Sequence, residues 1–303
     1  MTEAQYMKNL SVPEGRIDVV LDTDAFNEID DQFAISYMLR SKEKLDVRAI
    51  YAAPFFNDLS TGPADGMEKS YKEIFHILDL AGEKVDAYRG SESYLPDEHT
   101  PVISPAAEDL VRRSAEYSPS RPLYVVAIGA ITNVASALLM ADHVKENVVV
   151  VWLGGHAHDF PHTGEFNMFQ DVAAARVVMG CGVPFVQLPC DGVVSAFYIS
   201  KPELEYWLVG KNPLADYLAK NTIRSADGYA AGKPWSRIIW DVTAVAWLLN
   251  DGDRFMMSRI VDAPQPTYDN QYRVLPDSHP MRYVFHIHRD ALMEDLIGKI
   301  VGK

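Results

Sequence analysis

Apolar positions in this chain fall into short continuous runs, separated by stretches that repeat at helical spacing. The first run, residues 17–21, ends in Asp22-Thr23-Asp24. After an acidic loop it passes into an amphipathic pattern through Phe33, Ile35, Tyr37, Met38 and Leu39. Strand, acidic loop, helix is what this spacing predicts. A second run over 47–53 ends in Pro54-Phe55-Phe56-Asn57. Polar residues 58–66 lead to a helical repeat over about 67–80, carried by Tyr71, Ile74, Phe75 and Leu78. Residues 86–89 suit a short strand and 91–104 a loop. Residues 105–117 suit a helix with Pro105 in its first turn. Residues 123–128 form a third clear strand, whose turn Gly129-Ala130-Ile131-Thr132-Asn133 opens a helix over 134–140. Residues 148–153 are apolar throughout, as in a strand covered on both faces. Gly154 and Gly155 break that strand, and a loop with three histidines follows. Asp171 is placed to cap a small-residue helix reaching Met179, and 183–188 is another buried strand.

This alternation predicts βαβ units and a mostly parallel central sheet flanked by helices, an α/β fold. Beyond about residue 190 the pattern becomes more helical. Candidate helices lie over 202–208, 213–223 and 239–250, with strand-like runs at 255–261 and 281–288. With no repeat, linker or low-complexity stretch, one domain over 1–303 is expected. In such sheets ligands bind at the carboxyl ends of the strands, where the acidic loop falls.

Composition narrows the function without naming it. A chain of 303 residues can bury a large core. A formal net charge of -14 argues against nucleic acid or an anionic membrane surface as partner. No apolar run approaches a membrane span, and the start resembles neither a signal nor a transit peptide. A cytoplasmic protein is expected. Cys181 and Cys190, the two cysteines, sit beside apolar or glycine-rich segments and suit buried thiols in a reducing compartment.

The acidic loop asks for an explanation. Asp22, Asp24, Asp30 and Asp31 fall within ten residues, with Glu28 between them and no Lys or Arg. Two carboxylates about 4 Å apart repel by roughly 1 kcal/mol in water and about 4 kcal/mol at an effective dielectric near 20. A bound cation would relieve that cost, and an all-oxygen donor set favours Ca²⁺ or Mg²⁺ over zinc. The plainer alternative is that Asp30 and Asp31 only cap a helix. In the same way Asp241 is a plausible ordinary N-cap and Glu165 a plausible surface charge.

Taken with Gly129-Ala130-Ile131-Thr132-Asn133, Leu153-Gly154-Gly155, Glu165-Phe166-Asn167 and Asp241, the strand, acidic loop and helix resemble the inosine-uridine-preferring nucleoside hydrolase family, in the family's order over about residues 17–248. The resemblance implies an open, Rossmann-like, nucleoside-hydrolase-like sheet with extra C-terminal helices. It also implies hydrolysis of the N-glycosidic bond of ribonucleosides with Ca²⁺ as cofactor, a part in purine and pyrimidine salvage, and a homo-oligomer, dimer or tetramer. Carried over residue by residue, Asp24 would be calcium ligand and general base. Asp31, Asp241 and the backbone carbonyl of Ile128 would be further calcium ligands. Asp30, Glu165 and Asn167 would meet ribose hydroxyls. Asn57, Leu153, Asp159, Phe166 and Trp240 would line the substrate.

Three features depart from the family pattern. The acidic loop is two residues longer and lacks the usual Pro-Gly, so that Asn27 or Glu28 can join the site. Trp240 stands where many members carry a histidine that protonates the leaving base; an indole stacks but does not donate a proton in that way. The loop His156-Ala157-His158-Asp159-Phe160-Pro161-His162 has no close counterpart, and one of its histidines is a candidate replacement acid. Two rivals follow. One is a non-catalytic nucleoside- or ribose-binding protein on the same scaffold. The other is a Mg²⁺-dependent haloacid-dehalogenase-like phosphatase using Asp22 as nucleophile, which the residues after the third and fourth strands do not suit.

Overall fold

The computed structural model describes residues 1–302. Twelve strands occur among them: β1 Ile17–Thr23, β2 Leu45–Ala52, β3 Ala87–Arg89, β4 Leu123–Ala127, β5 Val148–Leu153, β6 Phe185–Leu188, β7 Tyr198–Ser200, β8 Ser236–Ile238, β9 Met256–Asp262, β10 Gln265–Pro266, β11 Tyr272–Arg273 and β12 Pro280–Ile287. Eight of them form one sheet in the order β3-β2-β1-β4-β5-β6-β12-β9. All neighbours pair parallel except β12 with β9 at the edge. The expected mostly parallel sheet is therefore present. Strand order reverses direction between β1 and β4, which opens a crevice at their carboxyl ends.

Alternate residues of the central strands enter two separate cores. Leu21, Val151 and Leu153 face one, and Val20, Val150 and Trp152 the other. Burial on both faces explains why these strands read as unbroken apolar runs. Twelve helices cover the sheet among the described residues. They are α1 Glu3–Asn9, α2 Asp31–Leu39, α3 Pro63–Ala81, α4 Pro105–Ser114, α5 Thr132–Met140, α6 Asp142–Asn147, α7 Phe166–Gln170, α8 Val172–Gly180, α9 Lys201–Trp207, α10 Pro213–Ala230, α11 Val242–Leu248 and α12 Arg289–Val301.

Local chemistry accounts for most boundaries. Ser104 caps α4 through the Ala107 N–H, with Pro105 in the first turn. Asp171 caps α8 through the Ala174 N–H. One expectation fails in kind. α2 is not amphipathic, because every residue from Asp31 to Leu39 is buried, between α3, α11 and α12. Its polar positions are used internally: the Ser36 hydroxyl donates to the Gln32 carbonyl and Gln32 Nε2 to the Ala25 carbonyl. α4 stops at Ser114, three residues short of the expected end, and α10 runs on to Ala230. α12 went unread in the sequence although Leu292, Met293, Leu296, Ile297 and Ile300 are buried at helical spacing. No helix among the described residues is long and apolar enough to cross a membrane.

Candidate active site

A cavity of about 360 Å³ opens where β1, β4, β5 and β6 end. β1 delivers Asp24, one residue past its end, and the loop then carries Asn27, Glu28, Asp30 and Asp31 to the same wall. Asp24 is buried, and neither of its carboxylate oxygens has a hydrogen-bond partner. Its carboxyl group lies against Gly129, where a Cβ would stand 3.1 Å from Asp24 Oδ1. A side chain at 129 would crowd the acid.

α2 and α11 start at the cavity, and each brings an acid. Asp30 and Asp241 occupy N-cap positions, yet neither side chain caps its helix. Capping therefore does not explain them. Carboxylate oxygens of Asp30, Asp31 and Asp241 lie within 4.8 Å of one another, and Asp30 Oδ2 accepts the Asp241 N–H at 3.4 Å. Burial pushes the Asp24 and Asp241 carboxyls well above the ordinary range, with the neighbouring aspartates raising them further. Asp31 is pushed to about 7, chiefly by burial. Convergent buried acids in a cavity that no lysine or arginine lines among the described residues form the donor set that a hard divalent ion satisfies.

The opposite wall comes from the turn after β4 and the segment after β5. Asn133 locks the turn by donating to Asp22 Oδ1 at 2.8 Å and accepting the Ser91 N–H at 2.7 Å. Trp152 Nε1 donates to the Gly129 carbonyl at 3.1 Å. This turn leaves the Ile128 carbonyl in the cavity wall, 3.3 Å from Asn167 Nδ2, which also donates to the Leu153 carbonyl at 3.0 Å. Glu165 is buried and not a surface charge. It accepts backbone N–H groups from Asn167, Gly155 and Met168 at 2.8, 2.8 and 3.1 Å. Gly155 adopts a φ of +73°, and a Cβ there would meet the Tyr272 hydroxyl.

Most residues expected at the site meet here. Asp24, Asp30, Asp31, Ile128, Leu153, His156, His162, Glu165, Phe166, Asn167, Trp240 and Asp241 all line the cavity. Three do not. Asn57 stays one layer out, donating to Asn27 Oδ1 at 2.6 Å. Asp159 is exposed on the loop after β5. His158 turns away, its Nε2 2.9 Å from Gln187 Oε1 and its ring against Tyr272 and Tyr283. Asn27 and Glu28 join the wall, as the longer loop allows. Cys190 and Asp191 also line it and were not anticipated, although they directly follow β6 and the strand-end rule reaches them. Asp22 is fully buried outside the cavity, bonded to Asn133, so it cannot serve as the phosphatase nucleophile.

A larger cavity of about 590 Å³ lies at the amino ends of the strands, around Lys8, Arg16, Asp18, Asp46 and Arg121. Two ion pairs cross it, Arg16 with Asp46 and Arg121 with Asp18, and among the described residues no buried acid with both oxygens unpartnered lines it as Asp24 lines the other cavity.

Known proteins give the same outline. Residues 19–274 match the family model described as inosine-uridine preferring nucleoside hydrolase. The chain is 29% identical over 160 residues to the pyrimidine-specific ribonucleoside hydrolase RihA of Shewanella sp. (strain ANA-3), covering 50% of this chain and 49% of that protein. The matched stretch thus spans about half the length of that relative. Identity to probable uridine nucleosidase 2 of Arabidopsis thaliana is 26% over 232 residues, covering 67% of each chain. The fold superposes on the plant nucleoside hydrolase PpNRh1 with a TM-score of 0.75 at 18% identity, over 96% of this chain and 100% of that one.

Proposed function

This chain belongs to the inosine-uridine preferring nucleoside hydrolase family, and on that premise we propose that it hydrolyses the N-glycosidic bond of ribonucleosides, or of related N-ribosides, to ribose and free base. Asp24 carries the reading. A buried carboxylate with both oxygens unpartnered faces a cavity it shares with Asp30, Asp31 and Asp241. The names of the bacterial and plant relatives support a riboside as substrate class.

A hard divalent cation fits the unpartnered oxygens of Asp24 and the converging carboxylates of Asp31 and Asp241. With the Ile128 carbonyl these would hold Ca²⁺, and Asp30 is close enough to share in it. When bound, such an ion supplies a polarised water and anchors vicinal hydroxyls. Asp24 takes the proton from the water that attacks C1′. The surrounding carboxylates stabilise the positive charge that develops on the ribosyl ring as the C1′–N bond breaks. Asn167 and Glu165, fixed by their backbone contacts, orient the ribose hydroxyls. Phe166 and Trp240 offer ring faces to the base, while His156 and His162 stand beside the path it leaves by.

The decisive measurement is free ribose released from a panel of purine and pyrimidine ribosides with calcium supplied. Turnover is expected for the parent, and Asp24→Ala should lose at least about 100-fold. Trp240, where the family resemblance expects a proton donor, favours one second reading, a nucleoside-binding protein without turnover. Tight riboside binding with no ribose released by the parent would select it. The same premise extends to a cytoplasmic salvage role and to a homo-oligomer, dimer or tetramer, which light scattering in solution tests.

A further inference from the structure

Charge and aromatic character of the cavity narrow the leaving group beyond what the proposed activity requires. Seven carboxyl groups line the cavity, and among the described residues no lysine or arginine does. Arg237 does not line the cavity, but it pairs with Glu28 at 2.6 Å and its charge also reaches Asp30. If all seven acids were ionised, a divalent ion and Arg237 would offset three, which leaves four. An anionic leaving base would therefore depart into a field that opposes it.

Nor does the site offer a ready proton to such a base. Trp240 has only an indole N–H. The two histidines on the wall each use the Nδ1 lone pair to accept a backbone N–H, His156 from Asp191 at 3.1 Å and His162 from Gly164 at 3.1 Å. A ring that accepts at Nδ1 carries its one proton on Nε2, a far weaker acid than an imidazolium. What the cavity does offer is π-surface. Trp240 and Phe166 line it, and His156, Phe160 and His162 cluster at its side with ring centroids 4.6 to 5.5 Å apart. Aromatic faces set among excess carboxylates recognise a flat cation.

We propose that the preferred substrates are N-ribosides whose base is positively charged and π-deficient at the glycosidic nitrogen, of the pyridinium or N-alkylated purine type. This rests on the nucleosidase reading and specifies its leaving group. The chemistry closes without an acid. As C1′–N breaks, its electron pair returns to the ring nitrogen and cancels the formal charge, so the base leaves neutral. Water oxygen bonds to C1′, and its proton passes to Asp24 and then to solvent. One proton is released per turnover, whereas the base of a neutral nucleoside must take one up.

Two measurements on the calcium-supplied protein test this. The first is the hydrolysis of nicotinamide riboside against uridine and inosine, each rate divided by its uncatalysed rate. The second is binding of the cation 1-methylnicotinamide against neutral nicotinamide, followed by tryptophan fluorescence. We expect the cationic member to be favoured by at least about tenfold in both, the preference to shrink as salt is raised, and Trp240→Leu to narrow it. Equal or better handling of the neutral partners would overturn the inference and leave the nucleosidase reading standing. If the parent released ribose from none of the three ribosides, the nucleosidase reading itself would fall, and this inference with it.

Discussion

Asp22 and Asp24 stand two positions apart, a spacing that would put both on one face if the strand continued, but Asp24 lies one residue past the end of β1, where the chain has left the sheet. Asp22 turns into the polar joint with Asn133, while Asp24 turns into the cavity with both oxygens free. We expect Asp22→Asn to keep the acceptor that holds Asn133 and to retain activity within about tenfold, whereas Asp24→Asn should lose at least about 100-fold. Comparable losses in the two would remove the distinction. His158 makes a separate prediction in acid. Burial first, and Arg259 besides, lower its ring below the ordinary pKa of 6.5. An unfolded chain then binds the proton before the folded one does, so this contribution is complete above about pH 6.5 and fades as pH falls below it. His158→Gln keeps an amide donor toward Gln187 and does not titrate. Between pH 7.5 and 5.5 its melting temperature should fall less than the parent's; parallel falls would refute the assignment.

At the level of elements, α2 joins stability to the site. Its first residue, Asp31, faces the cavity, and its remaining residues fill the space between neighbouring helices. Truncating Ile35, fully buried, should cost about 2–5 kcal/mol in denaturant unfolding and also weaken calcium binding, because the same helix carries Asp31. The hairpin of β10 and β11 plays a comparable part from the other end of the chain. The Tyr272 hydroxyl donates to the His156 carbonyl at 3.2 Å and accepts from Gln187 Nε2 at 2.9 Å. The Thr163 N–H donates to the Asn270 carbonyl at 2.9 Å. Together these hold the loop that carries His156 and His162. Tyr272→Phe should raise KM more than it lowers kcat and speed proteolysis within 156–165; an unchanged KM would deny the hairpin that part.

For the molecule as a whole, the test is the ion. Four buried acids reach one cavity from three places in the chain, and a ligand bound only by the folded state stabilises it by about 2.7 kcal/mol at a hundred times its Kd. Chelator treatment should lower the parent's melting temperature and calcium restore it, with little response in Asp241→Asn. Much of this architecture was legible in the sequence. Double-faced strands such as β5 declare themselves as apolar runs, and the acids, glycines and asparagine that follow strand ends gather as spacing predicts. What escaped notice has physical reasons. The helical repeat from Phe33 to Leu39 resembles that of a half-exposed helix, and only the packing of α3, α11 and α12 around it reveals full burial. Asn57, His158 and Asp159 lie on loops, where no period tells a side chain which way to turn. Cys190 and Asp191 follow a strand whose end carried no motif to draw attention to it.

The distance along the chain between Asp24 and Asp241 has a consequence for biosynthesis. A nascent chain that has emerged only as far as α10 possesses Asp24, Asp30 and Asp31 but lacks the acid that closes the ring. The proposed ion would therefore find its full grip only after Asp241 has emerged and folded back on the acidic loop. It would act as a seal on a formed sheet and not as a seed for its assembly.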